Sequence, residues 1–461
     1  MRIDNLDNKL KDLLLRLERL YRAKTRLSKS LYYRALGVFP GGVTYVIRYM
    51  SPYPIYITRA RGTRVWDVDG NEYIDLWMGH GTHLLGHLAR PVIEAIKESL
   101  ETGTHIGFEH PYAVEYAELL TKTIPGIEYI RFTNSGTDAN SYAIRLARAY
   151  TKRKYIVKME GGWHGASNTL HVSVTYPYTH PESAGYLEDS HKYTLVIPFN
   201  DIEQLEKALK THDIAAIILE PIMGAAGCIE PDPGYLKEVR KLTIEHGSLL
   251  ILDEVITGFR LAPGGAQEYY GVNADIVVLG KALGGGAGSI GAFGGRGELM
   301  ELLDHIKYPD VHERVAHSGT FIANLVVIKA GHAMVDYLVK NRSLYEDSNS
   351  MWKWFRFAIE KLCREHDILC HSTGDGSLVG IHFTSKKPRN AREAYQFRLS
   401  KYIEKTINLY FRVNGVLFTS EKMIHLLPSL IHTKEELGRL IELFNDFFEI
   451  LRHEEMGKTS F

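Results

Sequence analysis

Between about residue 125 and residue 280 the chain alternates short apolar runs with longer amphipathic segments, and few architectures can bury that pattern. The apolar runs are Tyr129 to Phe132, Tyr155 to Val157, Thr194 to Ile197, Ala215 to Leu219, Leu249 to Leu252 and Ile276 to Leu279. Helical spacing fills the gaps at Asp138 to Tyr150, Ile202 to Lys210 and Tyr235 to His246. Strand–helix alternation of this kind builds a mostly parallel sheet covered by helices on both faces. The expected class is α/β.

The flanks follow other periods. Ile3, Leu6, Leu10, Leu13, Leu14, Leu17, Leu20 and Tyr21 recur at three- and four-residue spacing with charges between them. That makes an amphipathic helix, which packs on the body of the protein or on a partner subunit. Pro40-Gly41-Gly42 breaks the chain before a hairpin in which Asp69-Gly70-Asn71 turns Thr63 to Val68 back onto Glu72 to Asp75. After about residue 325 helices predominate, with strand-like pieces near Leu378 to Phe383 and Gly415 to Phe418 and a last helix from about Lys434 to Arg452. The chain thus divides into an N-terminal helix and hairpin segment at 1–75, a large sheet domain at 76–330 and a smaller domain at 331–461, which the N-terminal segment joins.

Composition narrows function by exclusion. A chain of 461 residues, 45% hydrophobic, buries a large core without disulfides. Lys+Arg and Asp+Glu balance at 55 each, so no basic field draws nucleic acid or an anionic membrane. Cys228, Cys363 and Cys370 have no CxxC spacing, which argues against a disulfide framework or a thiolate zinc site and for a reducing cytoplasm. Charges interrupt the apolar positions from Met1 through Lys29, so no targeting signal is expected, and no stretch reaches the roughly 20 apolar residues of a spanning helix.

The strongest chemical feature lies at two strand ends. Leu250-Ile251-Leu252 runs into Asp253, and Ile276-Val277-Val278-Leu279-Gly280 runs into Lys281. In an open parallel sheet, ligands bind beyond the carboxyl ends of the strands, so neighbouring strands would deliver an acid and an amine to one pocket. An amine that forms a Schiff base, beside a carboxylate that pairs with a protonated pyridine nitrogen, is what pyridoxal phosphate requires. An exposed ion pair is the commoner use of such residues. Asn134-Ser135-Gly136-Thr137-Asp138 opens a helix, and its amides and hydroxyls suit a phosphate as well as a plain N-cap. Trp163-His164 follows another strand, where an indole either stacks on a ring or simply packs. Gly319-Thr320 offers a hydroxyl that alone means little.

The order NSGTDA, EGGWHG, LEPIMG, LILDEVITGFR, VVLGKALGGG and SGT resembles the class III pyridoxal-phosphate-dependent aminotransferases. PGGV with Arg48 close behind, VWDVDGNEYID, PDPGYLKEVRKLTIEHG, GAFGGRGELM and PSLIHT are similar to the glutamate-1-semialdehyde aminomutase branch, from about residue 38 to 435. The resemblance implies the fold type I architecture: a seven-stranded, mostly parallel sheet flanked by helices, and a smaller α+β domain from both chain ends. It implies that Lys281 is the Schiff-base lysine and proton shuttle and that Asp253 partners the pyridine nitrogen. It also implies that Ser135, Gly136 and Thr137 cup the phosphate and that Trp163, with His164 beside it, stacks on the ring. Thr320 would reach the phosphate of the neighbouring subunit of a homodimer. Arg48 would take the substrate carboxylate, for which its planar fork is suited, although a surface arginine is the simpler reading.

Several positions depart from the branch. The segment Val172 to His180 is bulkier and more aromatic than a small-residue gating loop. Ile424 stands where the branch carries a substrate-facing glutamate, with Glu421 three positions off. Ala323-Asn324-Leu325-Val326 replaces the Gly-Asn-Pro-Leu run after the threonine, and Met223 and Ala225 replace polar residues near the cofactor. Apolar Ile424, Met223 and Leu427 suit a substrate with an apolar side chain. The expected activity is therefore transfer of an amino group from a carboxylate-bearing, fairly apolar donor to an oxo acid, through a Lys281 aldimine and pyridoxamine phosphate. The glutamate-1-semialdehyde 2,1-aminomutase reaction and racemisation use the same parts. A non-catalytic binding protein is disfavoured because Lys281 and Asp253 are both present. A Rossmann dehydrogenase is disfavoured because no GxGxxG follows the first strand.

Overall fold

The computed structural model describes residues 3–418 and 423–452. Its centre is a seven-stranded sheet. In chain order, following three strands near the N-terminus (β1, Ile57–Arg61; β2, Arg64–Asp67; β3, Glu72–Asp75), the sheet takes β4 (Tyr129–Thr133), β5 (Tyr155–Met159), β6 (Thr194–Ile197), β7 (Ile214–Leu219), β8 (Leu249–Asp253), β9 (Ile276–Gly280) and β10 (Gly291–Gly295). Their spatial order is β4-β10-β9-β8-β7-β5-β6. All run parallel except β10, which is antiparallel to both β4 and β9.

Alternation along the buried strands sends successive side chains to opposite faces. On β8, Leu250 and Leu252 join one core, which also holds Val277, Leu279, Ile217 and Leu219. Leu249 and Ile251 join another with Ile276, Val278, Ala216 and Ile218, closed by Ala143, Ile144 and Ala147 of the helix Gly136–Thr151. Both faces are thus covered, as the unbroken apolar runs require. Six of the strands coincide with the apolar runs in the sequence. The reversed strand β10, Gly-Ala-Phe-Gly-Gly, has no strand signature, because close backbone approach selects its glycines: a Cβ on Gly291 would lie 2.2 Å from the Ser135 carbonyl oxygen, and one on Gly295 2.2 Å from that of Asp275.

The two chain ends build a smaller α+β unit around its own core. The helix Ile3–Lys24 buries Leu6, Leu10, Leu13, Leu17 and Tyr21 there, against Ile403, Ile407 and Tyr410 of the helix Ile403–Val413 and the phenylalanines of the helix Lys434–Arg452. The N-terminal stripe therefore packs on the body of the chain. The predicted hairpin forms as β2 and β3, with Arg64 opposite Ile74, and β1 extends it. A parallel pairing adds β13 (Val416–Leu417) to β3, and a separate sheet sets β11 (His371–Thr373), β12 (Val379–His382) and β14 (Ile424–Leu426) side by side. All three cysteines are buried and free. Among the described residues no helix is long and apolar enough to cross a membrane.

One buried cation ties the units together. Arg260 is 1% exposed and has carbonyls and a hydroxyl as hydrogen-bond partners rather than a carboxylate. Its Nη1 donates to Pro428 O at 2.6 Å and Ser377 Oγ at 3.2 Å, and its Nη2 to Gly81 O at 2.9 Å. Burial lowers its pKa to about 10, so it stays charged at neutral pH. Replacing it strands these acceptors in the interior. Arg260→Met is expected to lower unfolding stability by about 3 kcal/mol in urea titration, and a loss below about 1 kcal/mol would contradict this role.

Candidate active site

The register of β8 against β9 pairs Asp253 with Val278, and Glu254 N donates to Val278 O at 2.9 Å. Lys281 emerges two residues beyond Leu279, in a left-handed conformation (φ 46°) that turns the chain out of the sheet. The acid and the amine therefore meet at one edge. Ser135, Gly136, Thr137, Trp163, His164, Asp253 and Lys281 line a single cavity of about 260 Å³ there. A larger cavity of about 350 Å³, between Lys24, Glu72 and Arg412, contains none of the predicted residues.

Asp253 is almost wholly buried and fully engaged. His164 Nδ1 donates to its Oδ2 at 2.7 Å, Asn140 Nδ2 donates to the same oxygen at 2.8 Å, and Val255 N donates to Oδ1 at 3.0 Å. Asn140 also donates to His164 O at 3.2 Å, locking the pair together. Burial holds the His164 imidazole below its ordinary pKa, against the opposing pull of Asp253. Its Nε2 is buried without a partner among the described residues, so the ring is the neutral Nδ1–H tautomer. Burial likewise lowers the Lys281 amine, opposed by Asp253 and Glu220 and reinforced by Arg260.

The helix Gly136–Thr151 aims its N-terminus at the cavity. Ser135 is its N-cap, with Oγ accepting from Asp138 N at 3.2 Å, so the ordinary reading of that motif is realised at the same place as an anion cradle. Gly165, at φ +84°, lies against Thr137, where any Cβ would sit 2.2 Å from Oγ1. Trp163 is half-buried, its amide donating to Glu220 Oε1 at 2.9 Å. Glu220 also accepts from Gly224 N at 3.0 Å, and burial together with nearby Asp253 raises its pKa to about 7.

Two predicted residues stand apart. Arg48 is exposed, its Nη1 donating to Thr44 Oγ1 at 2.9 Å, and Thr320 is exposed and does not line the cavity. The apolar substrate wall expected from Ile424 and Met223 is not where the sequence put it. Ile424 turns into the core of the smaller unit, because β14 alternates and sends His425 the other way, and Met223 belongs to the core of the large sheet. Leu427 packs with Trp77. Glu421 lies outside the described residues.

What sequence reasoning missed is a turn of the N-terminal half. Met78, Gly79, His80 and Gly81 all have positive φ, which costs energy at Met78 and His80. Asp75 holds the turn through Trp77 N and Met78 N at 2.8 and 2.9 Å, and Arg260 holds Gly81. The turn packs on the Lys281 segment. His80 and His425 flank the Trp77 ring edgewise, at 5.1 and 5.2 Å. Burial, then the Lys281 charge, lowers both imidazoles to about 4, and Arg48 adds to the effect on His80. The WMGHG string carries no periodic signal. Only its run of glycines around a histidine hinted at strain.

A model of the class-III aminotransferase family matches residues 45–448. The glutamate-1-semialdehyde 2,1-aminomutase of Archaeoglobus fulgidus is 40% identical over 91% of this chain and 98% of its own length. Among solved structures, an omega-transaminase from Sphaerobacter thermophilus superposes with a TM-score of 0.85 at 30% identity, covering 92% of this chain and 98% of that one. A beta-phenylalanine aminotransferase from Variovorax paradoxus gives 0.84 at 29%, covering 96% and 97%.

The histidines make the site acid-sensitive. An unfolded histidine takes its proton near 6.5, whereas folded His80 and His425 resist it down to about 4. Their contribution to stability is complete above pH 6.5 and is lost as pH falls from there through about 4. The urea midpoint of wild type should drop across that window, and His425→Gln should drop less. Parallel curves would contradict the assignment.

Proposed function

The chain belongs to the class-III aminotransferase family, and from that premise we propose that it is a pyridoxal-phosphate-dependent transaminase moving an amino group from a carboxylate-bearing donor to an oxo acid. Pyridoxal-phosphate-dependent amino-group transfer is the chemistry of this fold and family. The observation that carries the proposal is the meeting of Asp253, Lys281 and a helix N-terminus at one cavity.

The residues present fit the cofactor. A buried carboxylate held by uncharged donors suits a pyridinium proton, and the amides after Ser135 with the Thr137 hydroxyl suit a phosphate. When bound, the cofactor supplies an electron sink for the bond broken at the donor's α-carbon. Lys281 would hold it covalently, and the same amine would carry the donor's α-proton. Its lowered pKa favours the neutral base that this step needs. Asp253, itself held by His164 and Asn140, would take the pyridinium proton, and Trp163, which lines the cavity, would lie against the ring. Thr320, exposed on its own chain, completes the phosphate site of a partner subunit in a homodimer, and Arg48 clamps the donor carboxylate.

The uncharged imidazoles of His80 and His425, beside Trp77 and within electrostatic reach of Lys281, suit a donor whose side chain is neutral. A second reading, amino transfer within one substrate, is favoured by the 40% identity to a glutamate-1-semialdehyde aminomutase.

A half-reaction screen separates them. Conversion of bound pyridoxal phosphate to pyridoxamine phosphate is followed by absorbance across α-, β- and ω-amino acids, alongside glutamate-1-semialdehyde and its diamine. Donors with neutral side chains should convert the cofactor. Rapid isomerisation of glutamate-1-semialdehyde with no response to those donors would sink the transaminase reading. Lys281→Ala should abolish the visible band, and a wild-type protein that stays colourless with pyridoxal phosphate overturns the whole proposal. Arg48→Gln should raise KM for carboxylate donors by about 10-fold, with kcat little changed.

A further inference from the structure

Lys158 is wholly buried on β5, yet its acceptors are all main-chain carbonyls. Its Nζ donates to Gly162 O at 3.0 Å, Leu170 O at 3.1 Å and Val172 O at 2.6 Å. The choice of partners is informative. Gly162 immediately precedes Trp163, while Leu170 and Val172 flank His171 on both sides. The His171 ring meets the Trp163 indole edge-on, with centroids 5.0 Å apart and planes at 87°, and its Nδ1 bonds the Tyr186 hydroxyl at 2.7 Å. A single ammonium therefore grips the segment that carries the indole and the segment that backs it.

Three carbonyl dipoles converging in the interior repel one another unless a strong donor sits among them; burial lowers the Lys158 amine to about 7, and its protonated form offers the three donors that these acceptors call for. On the far side of the indole's peptide, Glu220 holds Trp163 N, so the turn is pinned through both its carbonyl and its amide. The rest of the loop is closed by Gly161 N donating to Ser173 O and by Glu182 accepting from Val174 N and Thr175 N. We propose that Lys158 is the positioning residue that sets the Trp163 wall of the cofactor cavity, fixing the indole and its His171 backing relative to Asp253 and Lys281. The proposal rests on the reading that pyridoxal phosphate occupies that cavity.

The test is a double-mutant cycle on the full-length protein, with pyridoxal 5'-phosphate affinity measured by equilibrium dialysis. Lys158→Met, which leaves the three carbonyls without a donor, should weaken affinity by about 10-fold or more in the Trp163 background. Turnover at saturating cofactor should change far less. In a Trp163→Leu background the same substitution should change affinity by less than about 2-fold, because the element it positions is gone. Equal losses in both backgrounds, or unchanged affinity in Lys158→Met, overturn the proposal. If Lys158→Met does not fold, His171→Leu decides: it removes the backing ring without stranding a carbonyl, and its effect must likewise vanish with Trp163→Leu. Wild-type protein that binds no pyridoxal phosphate overturns the functional reading and this one with it; wild-type binding with unaltered variants overturns this one alone.

Discussion

Everything at the site depends on holding a carboxylate inside the protein with all its hydrogen bonds made. Asp253 is 3% exposed, so its oxygens must find their hydrogen-bond partners inside the protein. Three donors supply them: the neutral His164 ring, the Asn140 amide and the Val255 peptide. None of them brings a positive charge, so the negative charge of Asp253 is stabilised without being cancelled. The strand register then brings this anion and the Lys281 amine to the same sheet edge, where each lies within the electrostatic reach of the other.

The surrounding structure is organised by buried cations that have carbonyl partners. Arg260 joins the large sheet to Gly81, Ser377 and Pro428, which belong to segments far apart in the chain. Lys158 gathers the loop that carries Trp163. Ordering irregular backbone in this way is costly unless every polar group finds a partner, and a cation with several donors satisfies several carbonyls at once. The strained turn at Met78 to Gly81 is held by the same logic, with Asp75 binding its amides and Arg260 its last carbonyl.

Much of this was legible in the amino-acid order because it is local. Asp253 and Lys281 end apolar strands, Ser135 opens a helix, and six strands announce themselves by their apolar runs. Asn140 was not legible, since nothing within its helix distinguishes an amide that reaches a residue 113 positions away. Nor was β10, whose glycines answer to neighbours' carbonyls. Ile424 shows the limit most clearly. Its position relative to a related pattern suggested the substrate wall, but a strand alternates, and its neighbour His425 faces Trp77 instead.

By itself the sequence determined the strand–helix order and the placing of an acid and an amine at strand ends. Those follow from periodicity and residue type, which act over a few residues. Only the tertiary structure decided which side chains hold Asp253, which lysine holds the Trp163 loop, and which imidazoles face the amine. These depend on distances between segments remote in the chain, and burial, which sets both hydrogen-bond strength and protonation, exists only once those segments are packed.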